Sequence, residues 1–271
     1  MLSTVSCQNS GRLKVLADMP SSLKENSGLA YFSGNHIWAI EDSGNKDEIY
    51  AVDFKGDIIQ EFEVKNAKNN DWEDLATDKK GNLYIGDFGD NALKRKKLII
   101  YKLPNPEREK GDKIDAEKIE FSYQDSDKNP VSHNAEAFFH WNNSLYIITK
   151  NLEKESFGTA YVYKVPDEKG AHKAQFIDEI ITCGEYPICS ITAADISKDG
   201  SKIVLLGNGF LWVITNFKWD DFSKGNIERV DLGLRTQLEA VCFKNNSALL
   251  LSDERSHGLG GNLYELNLSK L

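Results

Sequence analysis

Three glutamates, Glu73, Glu136 and Glu239, each open a short apolar run, and each is followed 14 residues later by a charged residue: Asp87, Lys150 and Asp253. A first copy of the pattern opens on Ser27 and closes on Asp42, one residue late. A fourth opens on Thr192, with Asn208 nearest its closing place. Carboxylates held at one register of repeated units meet wherever the units meet. Gathered together they repel and lose hydration, so they persist only with a cation, with Lys or Arg partners, or with bound protons. Oxygen ligands with no cysteine among them select a hard cation, and a flexible multi-carboxylate ring suits Ca²⁺ better than Mg²⁺. The candidate metal ligands are Glu73, Glu136, Glu239, Asp42, Asp87, Asp253 and Asn208. The competing reading is an ion-pair plug in which Lys150, Arg255 and Arg95 neutralise the acids. Both stand at this point.

Other chemistry is thin. Asp42-Ser43-Gly44-Asn45 and Asp87-Phe88-Gly89-Asp90-Asn91 each place an acid at a strand end before a glycine turn. Ordinary turn chemistry accounts for both, and neither carries the EF-hand spacing. Asn69-Asn70-Asp71-Trp72-Glu73 sets an aromatic and two acids side by side, with Trp72 read as packing. His133 and His140 bracket Glu136. His133, in the rim loop, and Glu136 are the catalytic candidates, as acid or base, whereas His140 falls at the opposite face. His36, His172 and His257 show no metal-triad spacing. Gly-x-Ser-x-Gly, P-loop and dinucleotide fingerprints are all missing from the sequence.

The elements that must position these acids recur along the chain. Ser27-Gly28-Leu29-Ala30, Glu73-Asp74-Leu75-Ala76, Glu136-Ala137-Phe138-Phe139, Thr192-Ala193-Ala194-Asp195 and Glu239-Ala240-Val241-Cys242 each begin a strand, then a polar turn, then a second strand. Openings lie 46, 63, 56 and 47 residues apart. Strand-built units repeating at this length predict a β-propeller, in which equivalent positions converge on one axis. The fold expected is all-β, with four-stranded antiparallel blades. The fifth repeat shows only three strands, and Leu13–Ala17 is left over at the start. Joining that strand to the last blade gives five blades, closes the ring and protects an open edge. Six blades, the alternative, would need roughly 40 more residues.

The chain of 271 residues is 40% hydrophobic with a net charge of −9. Residues 1–10 read as a flexible tail and 11–271 as one propeller domain, expected to be a monomer. The acidic balance argues against nucleic-acid and anionic-membrane surfaces and fits a cation or small polar ligand as partner. No run of 18 apolar residues predicts a transmembrane segment. Leu2–Cys7, followed by Gln8-Asn9-Ser10-Gly11, resembles the end of a bacterial lipoprotein signal, with Cys7 as the lipid-anchor position. That places the protein outside the cytoplasm: periplasmic, secreted or membrane-anchored. Cys183 and Cys189 flank a turn-like segment and could bridge in an oxidising compartment, while Cys242 reads as a buried small apolar side chain.

The phrases Glu25–Tyr31, Ile37–Asn45, Asp71–Ala76 and Tyr84–Asn91 resemble an uncharacterised family of secreted or lipoprotein propellers of bacteria. They are more distantly similar to the SdiA-regulated propeller proteins and to the broad class that holds gluconolactonases and paraoxonases. Those enzymes imply a metal held by Glu, Asn and Asp, with Glu73, Glu136, Glu239 and Asn208 in comparable places here. Two functions follow. One is an exported propeller whose acidic axial rim binds a cation, calcium by its chemistry, or a small polar ligand. The alternative is a metal-dependent hydrolase of an ester, lactone or phosphoester, in which His133 or Glu136 activates water.

Overall fold

The structure is a computed structural model, and it describes residues 11–124, 133–151, 157–184 and 188–271. The leading segment with Cys7 lies outside the described residues. In chain order the strands are β1 (Lys14–Asp18), β2 (Asn26–Ala30), β3 (His36–Glu41), β4 (Glu48–Asp53), β5 (Ile58–Lys65), β6 (Trp72–Thr77) and β7 (Leu83–Asp87). Next come β8 (Leu98–Leu103), β9 (Lys113–Asp115), β10 (Glu117–Tyr123), β11 (Ala135–Trp141), β12 (Ser144–Thr149), β13 (Thr159–Pro166) and β14 (Gly170–Ile181). The last are β15 (Ile191–Ile196), β16 (Lys202–Gly207), β17 (Phe210–Thr215), β18 (Asn226–Asp231), β19 (Leu238–Asn245), β20 (Ala248–Asp253) and β21 (Asn262–Asn267). No α-helix occurs among the described residues.

Four sheets result, ordered β2-β3-β4-β5-β9, β15-β16-β17-β18, β1-β21-β20-β19, and an eight-stranded β11-β12-β13-β14-β10-β8-β7-β6. The large sheet is two antiparallel sets joined at their outer edges by a parallel β10–β14 pairing. The leftover strand falls where the sequence places it: β1 pairs antiparallel with β21, Lys14 opposite Glu265 and Asp18 opposite Asn262.

Strand burial follows position. β2, β6, β7, β11 and β16 are almost wholly buried, in line with apolar runs covered on both faces. β5, β14 and β18 have mostly exposed side chains with a buried one at intervals, as strands with one face in water do. The inner strands pack in a circuit: β2 against β6, β6 against β11, β11 against β15, β15 against β19, and β19 back against β2. Apolar clusters fill the gap between each neighbouring pair. Trp38, Phe62, Trp72 and Tyr101 fill one, and Met19, Leu29, Tyr50, Leu250 and Leu263 join the last sheet to the first.

Turn residues set the hairpins. Asn142 and Asn143 both have positive φ, 48° and 58°, and form the two-residue connection between Trp141 and Ser144. That is the primed turn whose twist matches the flanking strands, and asparagine tolerates it better than most residues.

Candidate functional site

One irregularity recurs in all five inner hairpins. Register shifts between Asn26 and Gly28, between Trp72 and Asp74, between Ala135 and Ala137, between Ile191 and Ala193, and between Leu238 and Ala240. The residues left unpaired are Ser27, Glu73, Glu136, Thr192 and Glu239, the openings of the five sequence repeats. A bulge leaves one residue out of the ladder and re-aims its side chain. Two of the five are short hydroxyls that tie neighbouring units: Ser27 Oγ donates to the Glu73 carbonyl at 2.7 Å, and Thr192 Oγ1 to the Leu238 carbonyl at 2.7 Å. The other three are the glutamates.

The glutamates share one electrostatic environment. Burial first, then Glu136, Asp42 and Asp71, hold the Glu73 carboxyl well above its ordinary value. Burial pushes Glu239 up to about 8, with Lys150 opposing and Glu136 adding. Burial also raises Asp42 to about 6, with Asp71, Glu136 and Glu25 adding to it. Glu254 rises to about 7 through burial, Asp42 and Glu25. Oxygens of Asp42, Asp71 and Glu73 all lie within 4.8 Å of one another. Among these acids stands the half-buried ammonium of Lys150, its Nζ 3.2 Å from Glu136 Oε2. Burial works against its charge, but Glu136, Glu239 and Glu73 keep its pKa above the usual lysine value.

Glycine is required beside the cluster. A Cβ on Gly89 would lie 1.9 Å from Glu73 Oε1 and 2.5 Å from Asp71 Oδ2, so the carboxylates occupy the space a side chain would take. The Asp87–Asn91 turn is therefore a wall of the site.

Not all of the predicted residues join. Asp87 is buried and turned into its own sheet, 2.8 Å from Arg95 Nη2, accepting from Asn70 Nδ2 at 2.9 Å and from the Asp71 amide at 3.1 Å. Asp253 does likewise, accepting from the Asn262 amide and the Tyr264 hydroxyl, both at 2.8 Å. Arg255 donates to the carbonyls of Met19 and Gly261 rather than to an acid. Asn208 follows Gly207, the partner of Ile191, as Asp42 follows Glu41, the partner of Asn26; its buried Oδ1 has no hydrogen-bond partner. His133 stacks on Tyr123 at 4.2 Å, and its Nε2 lies 3.1 Å from the Tyr163 hydroxyl.

Sequence counting missed Asp71 and Glu254. For Glu254 the signal was present, because the residue after each hairpin's closing partner is Asp42, Lys150, Asn208 or Glu254 in four of the units; Asp71 stood in the Asn69–Glu73 phrase, outside the repeat register. A fixed count of 14 lands on Asp87 and Asp253, since the β11–β12 hairpin closes one residue earlier than the β6–β7 and β19–β20 hairpins.

The donor set fits a hard cation: three clustered carboxylates, no sulfur or imidazole, an orphaned amide oxygen in an equivalent place, and a glycine wall. A second acidic group, Asp78, His140 and Asp167, differs in kind. Its oxygens are taken by Asn82, Tyr84, backbone amides and His140, whose Nε2 is 2.8 Å from Asp167 Oδ2. It is a closed hydrogen-bond network.

No family model matches this sequence, and no curated protein does. Among solved structures the chain is similar to the propeller-type aldose sugar dehydrogenase from Streptomyces coelicolor in its PQQ-bound form: TM-score 0.54, 13% identity, 96% of this chain and 99% of that one. It is also similar to a gluconolactonase from Xanthomonas campestris: TM-score 0.48, 12% identity, 89% of this chain and 71% of that one. At 13% identity the first likeness concerns the fold alone: an all-β, propeller-type architecture.

Proposed function

We propose that the protein is a five-bladed propeller that binds a divalent cation, calcium by its donor chemistry, at the acidic end of its axis. The blade count rests on the closed circuit of inner strands and on reading the eight-stranded sheet as two blades, with β1 as the outer strand of the last. The observation that carries the function is the repeated bulge, which sends Glu73, Glu136 and Glu239 to one place where Asp42, Asp71 and Glu254 also gather. One lysine cannot neutralise that many acids, and Arg95 and Arg255 are engaged elsewhere. The ion-pair plug is thus incomplete; at low pH bound protons complete the balance, and as pH rises through the raised pKa values a cation is the charge that takes their place. Asp42, Asp71 and Glu73 would hold the ion, with Glu136 and Glu239 behind them.

Export is part of this reading. It is supported by the Cys183–Cys189 disulfide, Cα atoms 5.4 Å apart, a bond that persists in oxidising compartments. The resemblance to secreted and lipoprotein propellers points the same way. A metal-dependent hydrolase is the second reading, favoured by Glu254, which stands outside the ligand set and whose pKa of about 7 suits a general base beside a metal.

Calorimetric titration of chelator-stripped protein tests the cation reading. Calcium should bind at one site per chain, more tightly than magnesium, and Asp71→Asn should weaken it at least about tenfold, as loss of a ligand charge does. Absence of calcium binding in the unmutated protein would overturn it.

A further inference from the structure

The end of the inner strands opposite the acidic rim opens into a cavity of about 610 Å³, within the range of small-molecule sites. Its deep wall includes Leu29, Leu75, Cys242 and the Asp195 carboxyl; its mouth carries Lys79, Lys80, Arg108 and Lys198. None of these four cations forms an ion pair among the described residues, although acids outnumber Lys and Arg by 42 to 33 in this chain. Unpaired charge on a surface lysine is ordinarily just solvated. Here two of the lysines lie over aromatic faces. Lys79 Nζ sits 3.8 Å from the Trp141 ring centroid and Lys198 Nζ 5.8 Å from that of Tyr31. Trp141 is itself held, stacked on Trp219 at 5.2 Å and 4°, with the Gly200 turn against its edge. Ammonium groups laid on aromatic faces lose less side-chain freedom when they meet an anion.

Deeper groups offer hydrogen bonds rather than charge. The Asp195 carboxylate accepts from the amides of Ile196 at 2.8 Å and Phe243 at 2.7 Å, which leaves lone pairs for hydroxyl donors. The His140 ring, fixed by Asp167 and stacked on Tyr84 at 5.1 Å, lines the wall with Thr77 and Asn105. A carboxylate at depth disfavours burying an anion there, and cations at the mouth favour holding one at the entrance. We propose that this mouth binds a small sugar-like anion, its carboxylate or phosphate on Lys79 and Lys198 and its hydroxyls toward Asp195 and His140.

The site is separate from the acidic rim, so the test is run in chelator, where that rim's cation plays no part. The protein is titrated calorimetrically with glucuronate, glucose 6-phosphate, glucose and inorganic phosphate. Binding of glucuronate identifies the anionic group as a carboxylate, and binding of glucose 6-phosphate identifies it as a phosphate. Either should weaken at least about tenfold in Lys79→Met/Lys198→Met; that variant also gives up two exposed cation–π contacts, so its melting temperature should fall by only a few degrees and it should stay folded at the titration temperature. The proposal falls if neither sugar anion binds, if glucose or inorganic phosphate binds as tightly, or if the double variant binds as well as the parent.

Discussion

At the scale of single residues, the site is defined by carboxyls that the fold makes hard to ionise. Glu239, Glu254 and Asp42 have their pKa values raised, to about 8, 7 and 6, from ordinary values of 4.5, 4.5 and 3.8. A carboxyl with a raised folded-state pKa keeps its proton longer in the native state than in the unfolded one. Across that window the native state binds more protons, so stability falls as pH rises. In chelator the protein should therefore melt at a higher temperature at pH 5 than at pH 8, and saturating calcium should narrow the gap by replacing the protons. A melting temperature flat from pH 5 to 8 in chelator would contradict this. Gly89 supplies a second test. Gly89→Ala drives a methyl into the space of Glu73 Oε1 and Asp71 Oδ2, so calcium affinity should drop at least about tenfold, as shifting a preorganised ligand does. An unchanged affinity would remove Gly89 from the site.

At the scale of elements, the inner strands are joined by more than apolar packing. Asp74 on β6 is fully buried; its Oδ1 accepts from its neighbour Leu75, and its Oδ2 from the amides of Phe138 on β11 and Ala194 on β15, both at 3.2 Å. Asp195 on β15 repeats the device toward Phe243 on β19. Backbone edges that face one another across a narrow axis lack ladder partners, and these carboxyls supply them. Asp74→Ala should cost about 3 kcal/mol or more, from several buried amides left unpaired. Asp74→Asn, which keeps an acceptor, should cost less; equal denaturation midpoints for the two variants would contradict that role. The strands themselves were legible in the sequence, because apolar runs and turn residues are local signals; even the return of β1 to β21 followed from counting strands. The bulges were not legible, because a register shift depends on which residues pair across a hairpin. Hence the openings Glu73, Glu136 and Glu239 were found, while Glu254 was passed over for Asp253, one position away. The parallel β10–β14 seam was also invisible, since a pairing between outer edges of strands about 50 residues apart leaves no local signal.

At the scale of the whole molecule, the two ends of the axis differ in charge: carboxyls at one, and around the cavity at the other four cations that form no ion pair among the described residues. The same inner strands serve both ends, their bulged starts carrying the glutamates and their far ends running into the cavity wall. A cation at the acidic end would bind the folded ring and not the unfolded chain, whose ligands are scattered from Asp42 to Glu254, so binding must raise stability. The melting temperature of the unmutated protein, compared in chelator and in millimolar calcium at pH 7.5, tests this most directly, with Glu73→Gln and Glu136→Gln alongside. The melting temperature should rise with calcium in the unmutated protein, not at all in Glu73→Gln, which loses a ligand, and by less in Glu136→Gln, which loses a charge behind the ligands. A melting temperature indifferent to calcium and chelator in the unmutated protein would contradict calcium binding and leave the acids to Lys150 and bound protons alone.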